Sequence, residues 1–441
     1  MIKVGIVSLG CSKNLVDSER MLYKLHGKFE LEADAALADV AIINTCGFIQ
    51  SAKEEAIETI LEFVSLKKEG KVKRIVITGC LAERYKEELL VEFPEADAVV
   101  GLGSEDKIAD IIASLDDSPK LFAGDKCNLP LSGGRISGTL SFYSYLKIAE
   151  GCDNRCSYCA IPSIRGKMRS VPPETLLKEA AELARSGVKE LNIIAQDITR
   201  YGEDLYSECK LPELLEKIAE TPGIQWIRLL YCYPERITDR LIETINKTDK
   251  IVKYLDIPIQ HCDGEILRRM NRPGDEQSLR ALVAKLRASI PGIILRTTLI
   301  TGFPGETEEN FNRLCEFVGG MKFDRLGCFP YSAEEGTPAA EFPEQIDDEI
   351  KNRRAEIIMD TQNVIMAEAN NKYLDKDIIV LTEGFDRYAE CFFGRSYMDA
   401  PDIDGKVFFT TEPDDKPYPG DFVTVRITET LDLDLLGFRN D

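Results

Sequence analysis

Over residues 1–115, short apolar runs alternate with stretches whose apolar positions recur every three or four residues. Lys3 to Ser8, Val40 to Asn44 and Arg74 to Thr78 read as strands, and Ala56, Ile60 and Phe63 mark one face of a helix that stops at Gly70. A further helix is expected from Ser104. Alternation of this kind predicts a doubly wound parallel sheet. After a stretch rich in Pro, Gly, Ser and Asp with no period, a second alternating unit begins. Its strands are expected at Tyr145 to Ala149, Glu190 to Ala195, Trp226 to Tyr231, Tyr254 to Ile259, Ile293 to Ile300 and Arg325 to Phe329, the pattern of a full or partial (β/α) barrel. Beyond a charged helix at Glu349 to Asn371 the pattern turns to strands at Ile378 to Thr382, Tyr388 to Phe393, Val407 to Thr410 and Phe422 to Ile427, with turns at Asp404-Gly405 and Pro419-Gly420. That suits a small β-barrel. The expected organisation is therefore α/β and multidomain: an N-terminal domain at 1–118, a linker at 119–138, a central domain at 139–372 and a C-terminal barrel at 373–441.

Composition narrows the chemistry. No apolar run approaches the ~18 residues of a membrane helix, and the N-terminus reads as a strand rather than a signal peptide. A cytoplasmic location without membrane contact is expected. The formal charge of −21 repels polyphosphate, so a basic partner is favoured and stable nucleic-acid binding is not expected. Thirteen cysteines in a reducing compartment suit metal or sulfur chemistry better than disulfides, and two histidines supply little imidazole.

The sharpest motif is Gly151-Cys152-Asp153-Asn154-Arg155-Cys156-Ser157-Tyr158-Cys159, which directly follows the first strand of the central unit. Three thiolates on one tight loop can hold three irons of a cubane cluster and leave the fourth iron open. A zinc site would want a fourth ligand, usually from a second Cys-x2-Cys pair, and no such pair lies nearby. Cys11, Cys46 and Cys80 form a subtler set, each just past one of the three N-terminal strands. The carboxyl ends of parallel strands lie side by side, so the three converge on a second candidate cluster site. Taken singly, each also suits a buried apolar thiol. Cys127, Cys209, Cys232, Cys315, Cys328 and Cys391 have no such spacing and read as core or surface thiols.

These residues carry a resemblance. The Cys152, Cys156, Cys159 loop at a barrel strand end resembles the radical S-adenosylmethionine superfamily. Leu9-Gly10-Cys11-Ser12-Lys13-Asn14, Asn44-Thr45-Cys46-Gly47-Phe48, Thr78-Gly79-Cys80 and Ile161-Pro162-Ser163-Ile164-Arg165-Gly166 together resemble its methylthiotransferases. Lys13 to Glu19 and Ala160 to Ser163 are closer to the branch that modifies a ribosomal protein than to the branch that modifies transfer RNA. Ser12 and Cys262 depart from that branch's pattern. The resemblance implies two 4Fe-4S clusters, S-adenosylmethionine on the open iron of the central cluster, and an electron donor such as flavodoxin or ferredoxin. It further implies methylthiolation of an aspartate β-carbon on the twelfth protein of the small ribosomal subunit. Asn192, Gln196, Gln260, Arg296, Gly302 and Glu306 are similar to cofactor-binding positions, although strand-end polar residues also cap helices and glycines also make turns. The C-terminal strands resemble a TRAM domain, with Gly394-Arg395-Ser396 and Asp399 to Gly405 carrying the match. From Lys376 to Asp441 there are 7 basic and 15 acidic residues, which suits a basic protein substrate better than RNA. The competing readings are a transfer RNA methylthiotransferase and a non-catalytic iron-sulfur carrier.

Overall fold

The computed structural model describes residues 1–116 and 118–440. Its first sheet holds six parallel strands: β1 (Lys3–Ser8), β2 (Glu30–Leu31), β3 (Val40–Thr45), β4 (Arg74–Gly79), β5 (Ala98–Val100) and β6 (Lys120–Phe122), in the order β2-β1-β3-β4-β5-β6. β3 is buried along its whole length, as a strand covered on both faces must be. One cover is α2 (Gln50–Lys68) and α3 (Cys80–Glu92), through Ala56, Ile60, Phe63 and Leu89; the other is α1 (Ser12–Leu25) and α4 (Ile108–Ala113), through Met21, Leu25, Ile108 and Ile111. The sheet is doubly wound, and strand order reverses between β1 and β3. Three short strands escaped the pattern, because two or three residues are too few to show alternation. One of them, β6, lies in the stretch that showed no period and pairs with β5. The helix expected from Ser104 is a 3-10 turn over Leu102–Lys107 leading into α4.

The central unit continues with β7 (Tyr143–Lys147), the short pair β8 (Ala149–Glu150) and β9 (Arg169–Ser170), then β10 (Glu190–Ile194), β11 (Trp226–Leu229), β12 (Ile251–Asp256), β13 (Ile294–Thr301) and β14 (Arg325–Pro330). β7 and β10 to β14 pair in parallel in sequence order, and the sheet does not close. The barrel is therefore partial. Side chains alternate along each strand: Leu146, Leu191 and Ile193 pack on the outer helices, while Tyr145, Ile194, Leu230 and Tyr254 line the concave face.

The last five strands, β15 (Asp377–Asp386), β16 (Cys391–Ser396), β17 (Val407–Thr410), β18 (Phe422–Leu431) and β19 (Asp434–Arg439), close a barrel in the order β15-β16-β17-β19-β18. The loop between β16 and β17 plugs the amino end of the open central barrel. Asp399 pairs with Arg325 at 2.7 Å, the Tyr254 hydroxyl donates to Asp404 at 2.6 Å, and Glu190 sits fully buried between Arg228 at 2.8 Å and Arg395 at 2.6 Å. With that end sealed, the carboxyl mouth faces the N-terminal domain. Among the described residues, no helix is long and apolar enough to cross a membrane.

Candidate active site between two cysteine loops

Each of Cys11, Cys46 and Cys80 follows the carboxyl end of a neighbouring strand, outside the point where strand order reverses. Gly10 makes the close approach possible. Its φ is +81°, and a Cβ there would stand 2.5 Å from the Cβ of Cys46. Hydrogen bonds lash the three loops together: Asn14 Nδ2 donates to the carbonyl of Thr45 at 2.9 Å, Asn44 Nδ2 donates to the carbonyl of Asn14 at 2.9 Å and to Ser18 Oγ at 2.8 Å, and Thr45 Oγ1 donates to the carbonyl of Thr78 at 2.6 Å. Burial pushes the Cys80 thiol up to about 12 even though Arg165 opposes it, and raises Cys46 as well. Cys11, exposed at the rim, is different. The crowding of protein atoms around its sulfur is outweighed by the charges of Lys13 and Arg165 and by two backbone N–H groups, so its pKa falls below the ordinary thiol value.

Cys152, Cys156 and Cys159 occupy the loop after β8. The loop is pinned by the Ser157 N–H on the Met270 carbonyl at 2.9 Å, Ser157 Oγ on the Arg269 carbonyl at 2.7 Å and Asn154 Nδ2 on Asp197 at 2.7 Å. Cys156 Sγ and the Tyr233 hydroxyl are 3.2 Å apart, and Arg272 lies over the Tyr233 ring at 4.0 Å. Burial lifts Cys152 to about 11 and Cys159 further still.

Among the described residues, no three of His, Cys, Asp and Glu are arranged to hold one metal ion. A cubane cluster asks for something else, since each sulfur takes a different iron. Both sets supply three mutually neighbouring thiols, mostly buried and backed by cations, and the residues fit such clusters. The raised thiols must lose protons on loading, which makes uptake pH-dependent.

Arg165, six residues past Cys159, joins the two sets. Its Nε and Nη2 approach Cys80 Sγ at 3.4 and 3.3 Å, and its Nη1 pairs with Asp17 at 2.8 Å and Glu150 at 3.0 Å. Lys147 bridges the same two carboxylates, at 2.6 Å from Glu150, and Gln196 Nε2 donates to Glu150 at 2.8 Å. Burial and the nearby Asp17 charge push Glu105 up to about 8. Arg165 and Lys147 set two cations against the carboxylates of Asp17 and Glu150 in a dry space, where an unpaired charge would be costly. Asp17 and Arg165 lie inside the segments that carry the family resemblance, and Lys147 is a charge at an inward position of β7; none of the charged residues was among the expected site residues.

The residues expected around a cofactor divide into two groups. Asn192 is fully buried on the concave face of β10, and both polar atoms of its side chain lack a partner. Gln196 Oε1 also lacks one, and Gln260, with φ +69°, sits past the end of β12. Gln196 and Gln260 lie just past β10 and β12, at the mouth, whereas Asn192 sits within β10 beside Tyr145 and Arg228 of the neighbouring strands. Arg296 is paired with Asp256 at 3.0 Å and with Asp404 of the plugging loop at 3.5 Å. Gly302 packs on Lys351, and Glu306 is buried against the Gly302 N–H at 2.9 Å and Arg354 at 2.9 Å. Cys262 is buried in the outer core, apart from both cysteine sets.

Known proteins resemble the chain throughout. Residues 3–101 match the model described as "Uncharacterized protein family UPF0004", residues 146–318 the Radical SAM superfamily and residues 376–438 the TRAM domain. A protein of Geotalea uraniireducens named ribosomal protein uS12 methylthiotransferase RimO is 49% identical over 99% of this chain and 98% of its own length. A protein of the same name from Desulforamulus reducens is 48% identical over 99% of both chains. Among solved structures, the radical S-adenosylmethionine methyltransferase TsrM from Kitasatospora setae, with cobalamin and a 4Fe-4S cluster bound, superposes with a TM-score of 0.56 at 14% identity over 76% of this chain and 73% of that one. At that identity the likeness concerns the fold alone.

Proposed function

The chain belongs to the RimO family of ribosomal protein uS12 methylthiotransferases, and we propose that it replaces a β-carbon hydrogen of an aspartate on uS12 with a methylthio group. The observation that carries this reading is that Arg165, which follows the central cysteine loop, reaches Cys80 of the N-terminal set at 3.3 Å while pairing with Asp17 and Glu150, at the carboxyl ends of two parallel sheets. When bound, the central cluster with S-adenosylmethionine supplies a radical able to take hydrogen from an unactivated carbon, and the N-terminal cluster supplies the sulfur. No side-chain base could do this, because nothing makes that hydrogen acidic.

The chain's own residues have separate tasks in this scheme. Cys152, Cys156 and Cys159 hold the central cluster and leave room for S-adenosylmethionine, while Cys11, Cys46 and Cys80 hold the second. Asn192, Gln196 and Gln260 offer unpaired or strained polar groups for cofactor recognition. Glu150, fixed by Arg165 and Lys147, orients Gln196. The N-terminal domain roofs the mouth and the C-terminal barrel seals the other end, so a reactive intermediate is shielded from water. An external electron donor such as flavodoxin or ferredoxin and a cytoplasmic setting belong to the same proposal. The acidic barrel supports a basic protein acceptor over RNA.

The test is mass spectrometry of a uS12 loop peptide and an unmodified transfer RNA after anaerobic incubation with reconstituted protein, reductant and S-adenosylmethionine. A methylthio mass gain on the peptide alone supports the proposal; a gain on RNA alone overturns it. Failure to cleave S-adenosylmethionine would leave an iron-sulfur carrier.

A further inference from the structure

Among the described residues, one cation at the mouth has no carboxylate partner. Lys13, near the start of α1 and two residues from Cys11, is only 5% exposed. Its Nζ lies 3.0 Å from the centroid of the Tyr231 ring, and among the described residues it makes no ion pair within 4.0 Å. The other buried cations nearby are neutralised. Arg165 and Lys147 share Asp17 and Glu150, and Arg135 is held by Glu19 and by Glu179 at 2.8 Å. Desolvating an ammonium is unfavourable, and an aromatic face and the neighbouring Cys11 thiol offset only part of that.

Tyr231 itself is held in an unusual state. Its φ is +65°, which a bulky residue adopts only when its surroundings force it. Here the Tyr231 N–H donates to Asp256 at 3.1 Å, and its carbonyl accepts from Ile198 N–H at 3.2 Å. Asp256 is in turn clamped by Arg296. The end of β11 is thus distorted in a way that keeps an aromatic ring under an unpaired ammonium, beside the rim cysteine of the N-terminal set.

We propose that Lys13 binds the side-chain carboxylate of the aspartate being modified, with Tyr231 holding the ammonium in place until that carboxylate arrives. The inference rests on the functional reading above and adds the residue that selects an acidic side chain. The substrate's carboxylate completes the missing ion pair and places the adjacent β-carbon between the two cysteine loops. A carboxamide of the same shape offers no such charge.

The test compares two uS12 loop peptides, one with the target aspartate and one with asparagine in its place. Binding to the reconstituted holoprotein is followed by fluorescence anisotropy, with modification read by mass spectrometry and iron counted in every preparation. Wild type is expected to bind the aspartate peptide about thirtyfold or more tighter than the asparagine peptide, the scale of a buried charge pair. Lys13→Met should bring the two affinities within about twofold, and Lys13→Arg should keep most of the preference. Equal binding of both peptides by wild type overturns the assignment whatever the variants do, as does an undiminished preference in an iron-replete Lys13→Met protein. If wild type modifies neither peptide, the functional reading itself fails; if it modifies the aspartate peptide without preferring it, only the role of Lys13 fails.

Discussion

Removing the Glu334 carboxylate should loosen the roof over the mouth. Glu334 lies just past β14 with its side chain 2% exposed, and it pairs with two residues of the N-terminal domain, Lys53 of α2 at 2.9 Å and Arg84 of α3 at 2.7 Å. Arg84 also donates to the carbonyl of Gly47 at 2.9 Å, beside Cys46, and to the carbonyl of Glu335 at 2.7 Å. Glu334→Ala leaves two enclosed cations without their anion, a loss of about 3–5 kcal/mol for a buried pair broken from one side. At ~1.4 kcal/mol per factor of ten, the opening equilibrium rises between about a hundredfold and a few thousandfold. Native-state hydrogen exchange reads this at the backbone amides of 47–48 and 332–337. Glu95→Ala, which breaks an exposed pair with Lys68, should change exchange by less than about 1 kcal/mol. Acid has a defined effect too. Burial pushes the Glu334 carboxyl up, but hydrogen bonds from Ser332, Arg84 and Lys53 outweigh it and hold the group below its usual value of 4.5. Its stabilisation is therefore complete above that value and is lost as pH falls through the lower, folded-state pKa. The difference between wild type and Glu334→Ala should be flat from neutral pH down to about 5 and shrink below it. Exchange in Glu334→Ala within about threefold of wild type at pH 7 would refute the clamp, as would strict additivity with Arg84→Met.

Arg165→Met should destabilise the protein by about 3–5 kcal/mol, because Asp17 and Glu150 are left with Lys147 alone. Arg165→Lys should lose less, and urea unfolding of both variants checks the order. Gly10→Ala combines a Cβ 2.5 Å from Cys46 with a positive φ, so it should cost about 1–3 kcal/mol and displace the N-terminal set. Iron analysis of that variant should show loss from the N-terminal set and retention by the central one. Asp404→Ala removes the acceptor of the Tyr254 hydroxyl and of the Ala400 N–H, and should weaken docking of the C-terminal barrel by about 2–3 kcal/mol. The single tryptophan, Trp226, packs on Phe422 of that barrel at 4.8 Å, so its emission should shift to the red at lower urea concentration than in wild type.

The longer strands were readable because each is a continuous or alternating apolar run of at least four residues, and β1 and β17 fall where the pattern put them. β2, β5 and β6 were not, since two or three residues are too few to show alternation. β19 was also missed; its register with β18 is interrupted between Ile427 and Glu429, and the sequence there is acidic. At the candidate site, spacing and position after strands were enough to sort the six cysteines into two sets, and the structure brings the thiols of each set near one another. The pairing of Arg165 with Asp17 and Glu150 was not legible, although the first two lie in quoted motif segments, because a buried charge network is defined only once two domains meet. Arg296 and Glu306 show the reverse problem. Both looked like mouth residues from their strand positions, yet they are committed to internal ion pairs with partners about 50 to 110 residues away. Sequence spacing reports which atoms share a loop and says little about which charges share a cavity.

The most direct test of the account is to count iron and sulfide in three anaerobically reconstituted proteins: wild type, a Cys11, Cys46, Cys80 to Ala triple variant, and a Cys152, Cys156, Cys159 to Ala triple variant. Two separate cubane sites predict about eight irons in wild type and about four in each variant. Only the variant that keeps Cys152, Cys156 and Cys159 should cleave S-adenosylmethionine. Equal iron in wild type and the N-terminal variant, or cleavage surviving in the central variant, would contradict it.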